Sequence, residues 1–275
     1  LVEHQSLFQV SNRQYQRSKL SKIQRGNDMP LQFELETIRP RPPGLIARVA
    51  FVFLLSLLGT VANAADLSAA NKAAEQMLEA LGGRQAWAEL RNTINGSVQN
   101  RVSEPTVVYS VITMDFQKPR FRIETTARDI HLIRVIDDDN NWRLRRSANI
   151  EDVPQDRVES ELRWYGAHLY RTIHRIASRD PAISLGLDDQ GRLEVFAASE
   201  RILWFRLDAK GEPYAFGAYD DEVGSLSGPW DFQKDGIRHP IWVSSADGTW
   251  RAAIKTLSVN VPLGDHMFAR PGSDD

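Results

Sequence analysis

The chain has 275 residues, with 34 Lys and Arg against 36 Asp and Glu, six His and no Cys, for a formal net charge of −2. Apolar residues make up 42 % and charged residues 25 %, ordinary proportions for a globular protein. The near-neutral balance excludes the strongly basic class of nucleic-acid binders. The lack of Cys excludes disulfides, thiolate metal sites, a cysteine nucleophile and an N-terminal lipoprotein anchor.

In chain order, the first informative stretch comes well after the first residue. Arg39, Arg41 and Arg48 precede the 13-residue apolar run Val49–Val61, and Ala62-Asn63-Ala64 is followed by Ala65-Asp66. A basic flank, a short apolar segment and an A-x-A site are the three parts of a secretory signal peptide. Crossing a ~30 Å hydrocarbon core as a helix takes about 20 residues, more than this run supplies. Export is therefore expected, to the periplasm, with cleavage after Ala64. The first Met is Met29, and a start there gives a basic region of ordinary size before the apolar run. Residues 1–28 are expected to be an over-extended gene start or a poorly ordered extension. The division is thus 1–43 extension, 44–64 signal peptide and 65–275 a single domain. Residues 1–48 hold eight Lys and Arg and four Asp and Glu, which leaves 26 against 32 for the rest, so the exported part is mildly acidic.

Residues 67–81 have Ala70, Ala73, Ala74, Met77, Leu78 and Leu81 at helical spacings, ended by Gly82-Gly83. Arg84–Arg91 reads as a second short helical segment. From Thr93 the texture changes to strands, with candidates at Thr106–Phe116, Arg120–Thr126, His131–Ile136 and Trp142–Arg146. Val158, Leu162, Tyr165, Leu169, Ile173 and Ile176 then form one helical stripe, with Pro154 near its start where a missing N–H is harmless. After Pro181 the strand texture returns: Ile183–Leu187, Arg192–Ala198, Arg201–Leu207, Tyr214–Tyr219, Trp230–Lys234, Ile237–Ser244 and Thr249–Val259. The turns between them end in Gly191, Gly211, Gly236 and Gly248, and Asp-Gly between alternating runs is the strongest short hairpin signal. Consecutive hairpins with one helical insertion predict an α+β fold, a strongly curved antiparallel sheet of about eleven strands, with helices packed on one face.

Two segments resemble a known family. The stretch Ala74–Leu90 leading to Ile94-Asn-Gly-Ser-Val98 looks like the start of exported proteins related to the outer-membrane lipoprotein-sorting carriers. The ending looks like theirs too: Trp230–Ile241 with Phe232, Asp235, Gly236 and Pro240, then Asn260, Pro262, Asp265 and Phe268. The resemblance implies an unclosed half-barrel whose helices cover a concave apolar face able to hold an acyl chain. It implies mainly architectural roles for both motifs: the Asp-Gly turn closes a hairpin, and the terminal Pro and Phe pin the exit of the last strand.

Local chemistry adds little. Asp137, Asp139 and Asn141 sit at positions 1, 3 and 5 of a calcium loop, but Trp142 stands where Gly is needed and Ala148 where Glu is needed. His168 and His174 are six apart on a helix and face different ways, so they cannot form a zinc pair. His131, His239 and His266 are scattered. No G-x-S-x-G elbow, phosphate-binding Gly loop or dinucleotide fingerprint occurs. No catalytic residues, metal or cofactor are therefore expected. The cavity-lining candidates are Trp142, Trp204, Phe205, Trp230, Phe232, Trp242 and Trp250, because ligand pockets are largely apolar and aromatic. Trp204 and Phe205 are adjacent in a strand and must face opposite ways.

The first functional expectation is a non-catalytic carrier for an acyl chain, lipid or other hydrophobic ligand, with lipid or lipoprotein acyl chains as partners. An envelope interaction module with a packed interior is the alternative, and an exported hydrolase is third. Neither nucleic acid nor, after signal cleavage, a transmembrane anchor is expected.

Overall fold

A computed structural model of the chain describes residues 67–272, which belong to one compact unit, Val61–Asp275. The signal peptide, its cleavage site and the preceding extension lie outside the described residues. Among those described, no helix is long and apolar enough to cross a membrane.

Helix α1 (67–80) and the short α2 (Arg84–Ala88) lead into β1 (Asn92–Arg101), β2 (Glu104–Asp115), β3 (Arg120–Ala127), β4 (Ile130–Ile136), β5 (Trp142–Leu144) and β6 (Ile150–Asp152). Helices α3 (Gln155–Gly166) and α4 (Leu169–Ala177) follow. Then come β7 (Ile183–Leu187), β8 (Leu193–Ala197), β9 (Glu200–Leu207), β10 (Pro213–Ala218) and β11 (Ser225–Ser227). The chain closes with β12 (Phe232–Lys234), β13 (Ile237–His239), β14 (Trp242–Ser245), β15 (Trp250–Val259) and a 3-10 turn, Asp265–Met267.

Thirteen strands form one open, curved antiparallel sheet in the order β6-β5-β4-β3-β2-β1-β15-β14-β11-β10-β9-β8-β7, and β12 and β13 make a separate hairpin. The first and last strands pair in the middle, Thr93 opposite Val259 and Asn95 opposite Leu257. The chain therefore leaves one edge at β6 and rejoins at the other edge, β7. The connection α3–α4 has to cross a whole face of the sheet, which brings it over the central strands. The sheet is the expected one. Its additional strands are β1, β6 and β11, short or weakly alternating segments, and Pro240 divides the expected run 237–244 into β13 and β14.

The single helical stripe expected over 154–177 is two helices. His168 is extended (φ −63°, ψ 136°), and its ring Nδ1 accepts the Tyr170 amide at 3.3 Å, capping α4. The cap ends the α3 axis after Gly166 and rotates the two halves apart. Leu162 of α3, expected on the buried stripe, is 38 % exposed, although Val158 and Tyr165 of the same helix are buried.

Directly paired residues in an antiparallel sheet share a face. Met114, Phe121 and Ile136 pair with one another and lie under Val158 and Tyr165 of α3. Arg134 from the same face meets Glu161 of α3 at 3.2 Å. Toward the other edge, Leu193, Val195, Leu203 and Phe205 pack with Met77, Leu78 and Leu81 of the α1 end, Trp87, Trp230 and Ile173. The opposite face has its own cover. Val135 and Trp142, paired across β4 and β5, carry Phe268 and Leu263 of the C-terminal segment. Arg120 fastens that segment, donating to Asp115 at 2.9 Å and Asp265 at 2.8 Å, with its guanidinium 4.4 Å above the Phe268 ring. Asn260 makes the turn into it at φ 55°, its Oδ1 accepting the Arg91 amide at 2.7 Å.

The two segments that carry the family resemblance meet at the end of α1. Arg238 donates its amide to the Leu81 carbonyl at 2.9 Å and its guanidinium to the Ala80 carbonyl at 2.8 Å, satisfying carbonyls that a helix end leaves open. Gly82, at φ +105°, lies so close to the Gly236 carbonyl that a Cβ would strike it. Gly236 is itself left-handed in the Asp235-Gly236 turn, where both φ angles are positive, as a type I′ hairpin needs.

Candidate functional site

The seven aromatic candidates do not converge on one cavity. Phe205, Trp230 and Phe232 belong to the helix-covered interior, where the Trp230 indole donates to the Pro213 carbonyl at 2.6 Å. Trp142 is on the opposite face and donates to the Phe268 carbonyl at 2.8 Å. Trp204 faces away from Phe205. It donates to the Asp221 carbonyl at 2.7 Å, with Arg192 4.9 Å from its ring, and it fits because Gly217 and Gly224 leave room for the indole. Trp242 lies over Gly228 with the Arg251 guanidinium 4.3 Å from its ring. Trp250, half-buried at the start of β15, keeps an Nε1–H that is buried with no partner.

What does converge is polar. Register places Thr93, Asn95 and Ser97 of β1 and Ser110 of β2 on the helix-covered face, at the middle of the sheet. Central strands are usually apolar on a covered face, yet Thr93, Ser97 and Ser110 are buried. Above this stripe stands the junction of α3 and α4. Asn95 Nδ2 donates to the Tyr170 phenol oxygen at 3.3 Å. Tyr170 continues a chain of rings: His168 at 5.4 Å and His239 at 6.1 Å between centroids, with Trp164 5.0 Å beyond His168 and Phe232 4.5 Å beyond His239. Four elements supply this group: β1, the α3–α4 junction, α4 and the β12–β13 hairpin.

The group is uncharged at neutral pH. Burial lowers His239 to about 4, against a raising effect from the Pro240 carbonyl. Burial first, then the nearby Arg171 charge, lowers His168 to about 4. Burial also pushes the Tyr170 phenol upward. Several atoms here have no hydrogen-bond partner although buried: Asn95 Oδ1, His239 Nε2 and the hydroxyls of Thr93 and Thr172. Native interiors leave few such atoms.

The polar features that stood out in the sequence have partners of their own. The tip at Asp137–Asn141 closes on itself, Asn141 Oδ1 accepting the Asp137 amide at 3.1 Å, while Asn140 donates to the Phe268 carbonyl at 3.3 Å. Among the described residues no group of three His, Cys, Asp or Glu could hold a metal ion. His174 Nδ1 donates to the Trp87 carbonyl at 2.8 Å, and His131 pairs with Glu124 at 2.8 Å. On the opposite face a groove of about 350 Å³ is lined by Ile94, Val111, Thr113, Arg122, Glu124 and His266. Its charges pair with each other, Arg122 to Glu124 at 2.8 Å, which holds the Glu124 carboxyl below its ordinary range.

The interior group was hidden in the sequence because its members come from three distant segments, Asn95 and Tyr170 being 75 residues apart, and β1 is too polar to read as a central strand. The one local signal was that polarity: Thr93, Asn95 and Ser97 alternate, as one face of a strand does.

No protein-family model matches the chain, and no curated protein matches it. Among solved structures, a DUF1329 family protein from Desulfovibrio piger, determined at 1.75 Å resolution, is similar to it at 11 % identity with a TM-score of 0.31. The match covers 74 % of this chain and 97 % of that one.

Proposed function

We propose that the chain is an exported, non-catalytic carrier that holds a hydrophobic ligand, an acyl chain or another lipid-like group, on the helix-covered face of its open sheet in the periplasm. The observation that carries this reading is the buried polar stripe at the centre of that face. Asn95 and His239 flank Tyr170 of the larger apolar cluster, and each keeps a buried hydrogen-bonding atom that the protein leaves without a partner. An apolar interior with a few convergent polar groups is the usual make-up of a small-molecule site. The cover suits entry and release: α3 and α4 meet at a non-helical break, and Leu132 and Leu162 remain 36 % and 38 % exposed. The signal-like segment at 44–64 and the likeness of both chain ends to lipoprotein-sorting carriers support the export part of the reading.

The test is binding of N-phenyl-1-naphthylamine, a neutral probe that brightens in apolar surroundings. Saturable brightening at one site, reversed by palmitoyl compounds and weakened by Tyr170→Ala, is the expected result. No brightening with a folded chain, or displacement by none of those compounds, overturns it.

A second reading, docking to an envelope protein, is favoured by one observation. Val107, Tyr109 and Val111 are 42 %, 58 % and 41 % exposed in a row on the opposite face of β2. In that case the interior would bind nothing, and a partner would cover the Val107, Tyr109 and Val111 side chains, read as a loss of binding on Tyr109→Ser.

A further inference from the structure

His239 ends β13 fully buried, its ring between Phe232 and Tyr170. Its Nδ1 faces the Pro240 carbonyl oxygen at 2.9 Å. A carbonyl can only accept, so the single proton of the neutral ring sits on Nδ1, and Nε2 is left as a bare acceptor. That Nε2 is buried without a partner, and so is Asn95 Oδ1, whose own Nδ2 already donates to Tyr170. Two orphaned acceptors beside one phenol specify what is missing. Each lacks a donor, and a buried acceptor without one costs the desolvation of its lone pair.

We propose that the interior recognises the polar end of its ligand as a neutral hydrogen-bond donor, a hydroxyl or an amide N–H, received by His239 Nε2 and Asn95 Oδ1. This rests on the carrier reading above and narrows it to ligands whose apolar body ends in such a group. A carboxylate would set its oxygens against the two acceptors. The nearby cation, Arg171, is turned to the Gly166 carbonyl at 3.3 Å and to the Tyr165 ring. An ester without hydroxyls offers only acceptors, which the Tyr170 O–H could serve but which leave His239 Nε2 and Asn95 Oδ1 unmet. An ammonium would donate, but no described carboxylate is hydrogen-bonded to His239, Tyr170 or Asn95 to balance it, and an unpaired buried charge is strongly unfavourable.

The experiment uses the full chain, delipidated, at pH 7.5, with four ligands of one chain length: monopalmitoylglycerol, palmitamide, methyl palmitate and palmitate. Binding is followed by the chain's own tryptophan fluorescence. Monopalmitoylglycerol and palmitamide are expected to bind about tenfold or more tightly than methyl palmitate, the worth of roughly one hydrogen bond to a buried acceptor. In His239→Phe, which keeps a ring against Phe232, that preference falls to within about twofold while methyl palmitate binds as before. Asn95→Leu is a second variant in case His239→Phe does not fold, and the ligand series on the unaltered chain needs neither. Equal binding of all four overturns the donor inference and leaves the carrier reading standing, as would happen if bound water already served the acceptors. Tightest binding of palmitate overturns the requirement for a neutral group. Failure of all four to bind overturns the carrier reading itself.

Discussion

Acidification from pH 7 to pH 5 should destabilise this protein mainly through two buried imidazoles. His168 and His239 are each lowered from 6.5 to about 4. The unfolded chain therefore binds more protons than the folded one between those values. Stability is fully present above pH 6.5 and is lost as the pH falls toward 4. The whole shift is worth roughly 3 kcal/mol per ring, of which about 2 kcal/mol is gone by pH 5. The structural reasons differ. A protonated His239 would put a buried positive charge where no described carboxylate is hydrogen-bonded to it, whereas a protonated His168 could no longer accept the Tyr170 amide and α4 would lose its cap. Glu161 and Asp137, both raised by burial, act with the opposite sign, since they gain stability as they take up protons. The variant His239→Phe separates these contributions. Urea unfolding at pH 7, 6 and 5, followed by tryptophan emission and far-UV circular dichroism, should show the parent losing about 2 kcal/mol more than the variant between pH 7 and pH 5. Parallel pH dependence in parent and variant would refute the burial and tautomer assigned to His239.

Three further outcomes follow from the packing. Phe268→Ala should cost about 3–5 kcal/mol in urea unfolding and change the Trp142 emission, because the ring is fully buried between Arg120 and the β4–β5 face. Gly217→Ala places a Cβ 2.6 Å from both the Trp204 ring and the Asp221 carbonyl oxygen, and should cost about 1–3 kcal/mol, read as a lower thermal midpoint. Arg120→Leu leaves the buried Asp115 carboxylate without its cation and should destabilise by about 3–5 kcal/mol, with earlier exchange of amides in the segment 260–268.

The sheet was legible wherever turn chemistry and alternation agreed. Gly191, Gly211, Gly236 and Gly248 all have positive φ, as their hairpins require. The opposed directions of Trp204 and Phe205 followed from strand geometry alone. The helical stripe 154–177 misled because periodicity registers faces and says nothing about a cap. The aromatic candidates divide between the two faces, since Trp142, Trp204 and Trp242 each cover the face away from the α3–α4 helices, under the tail, a loop or an arginine. The interior group is a product of topology: β1 and β15 pair in the centre, α3 and α4 cross above them, and the β12–β13 hairpin brings His239 in from the side. None of that is local, so no window of residues contains it.

The carrier reading is tested most directly by native mass spectrometry of the chain recovered from the periplasm of cells expressing it with its own N-terminal segment, followed by lipid extraction. The account predicts a bound species of discrete mass with a hydrocarbon chain and a hydroxyl or amide end, lost on Tyr170→Ala. A folded chain recovered empty, which also takes up no added neutral lipid or lipopeptide, would contradict it.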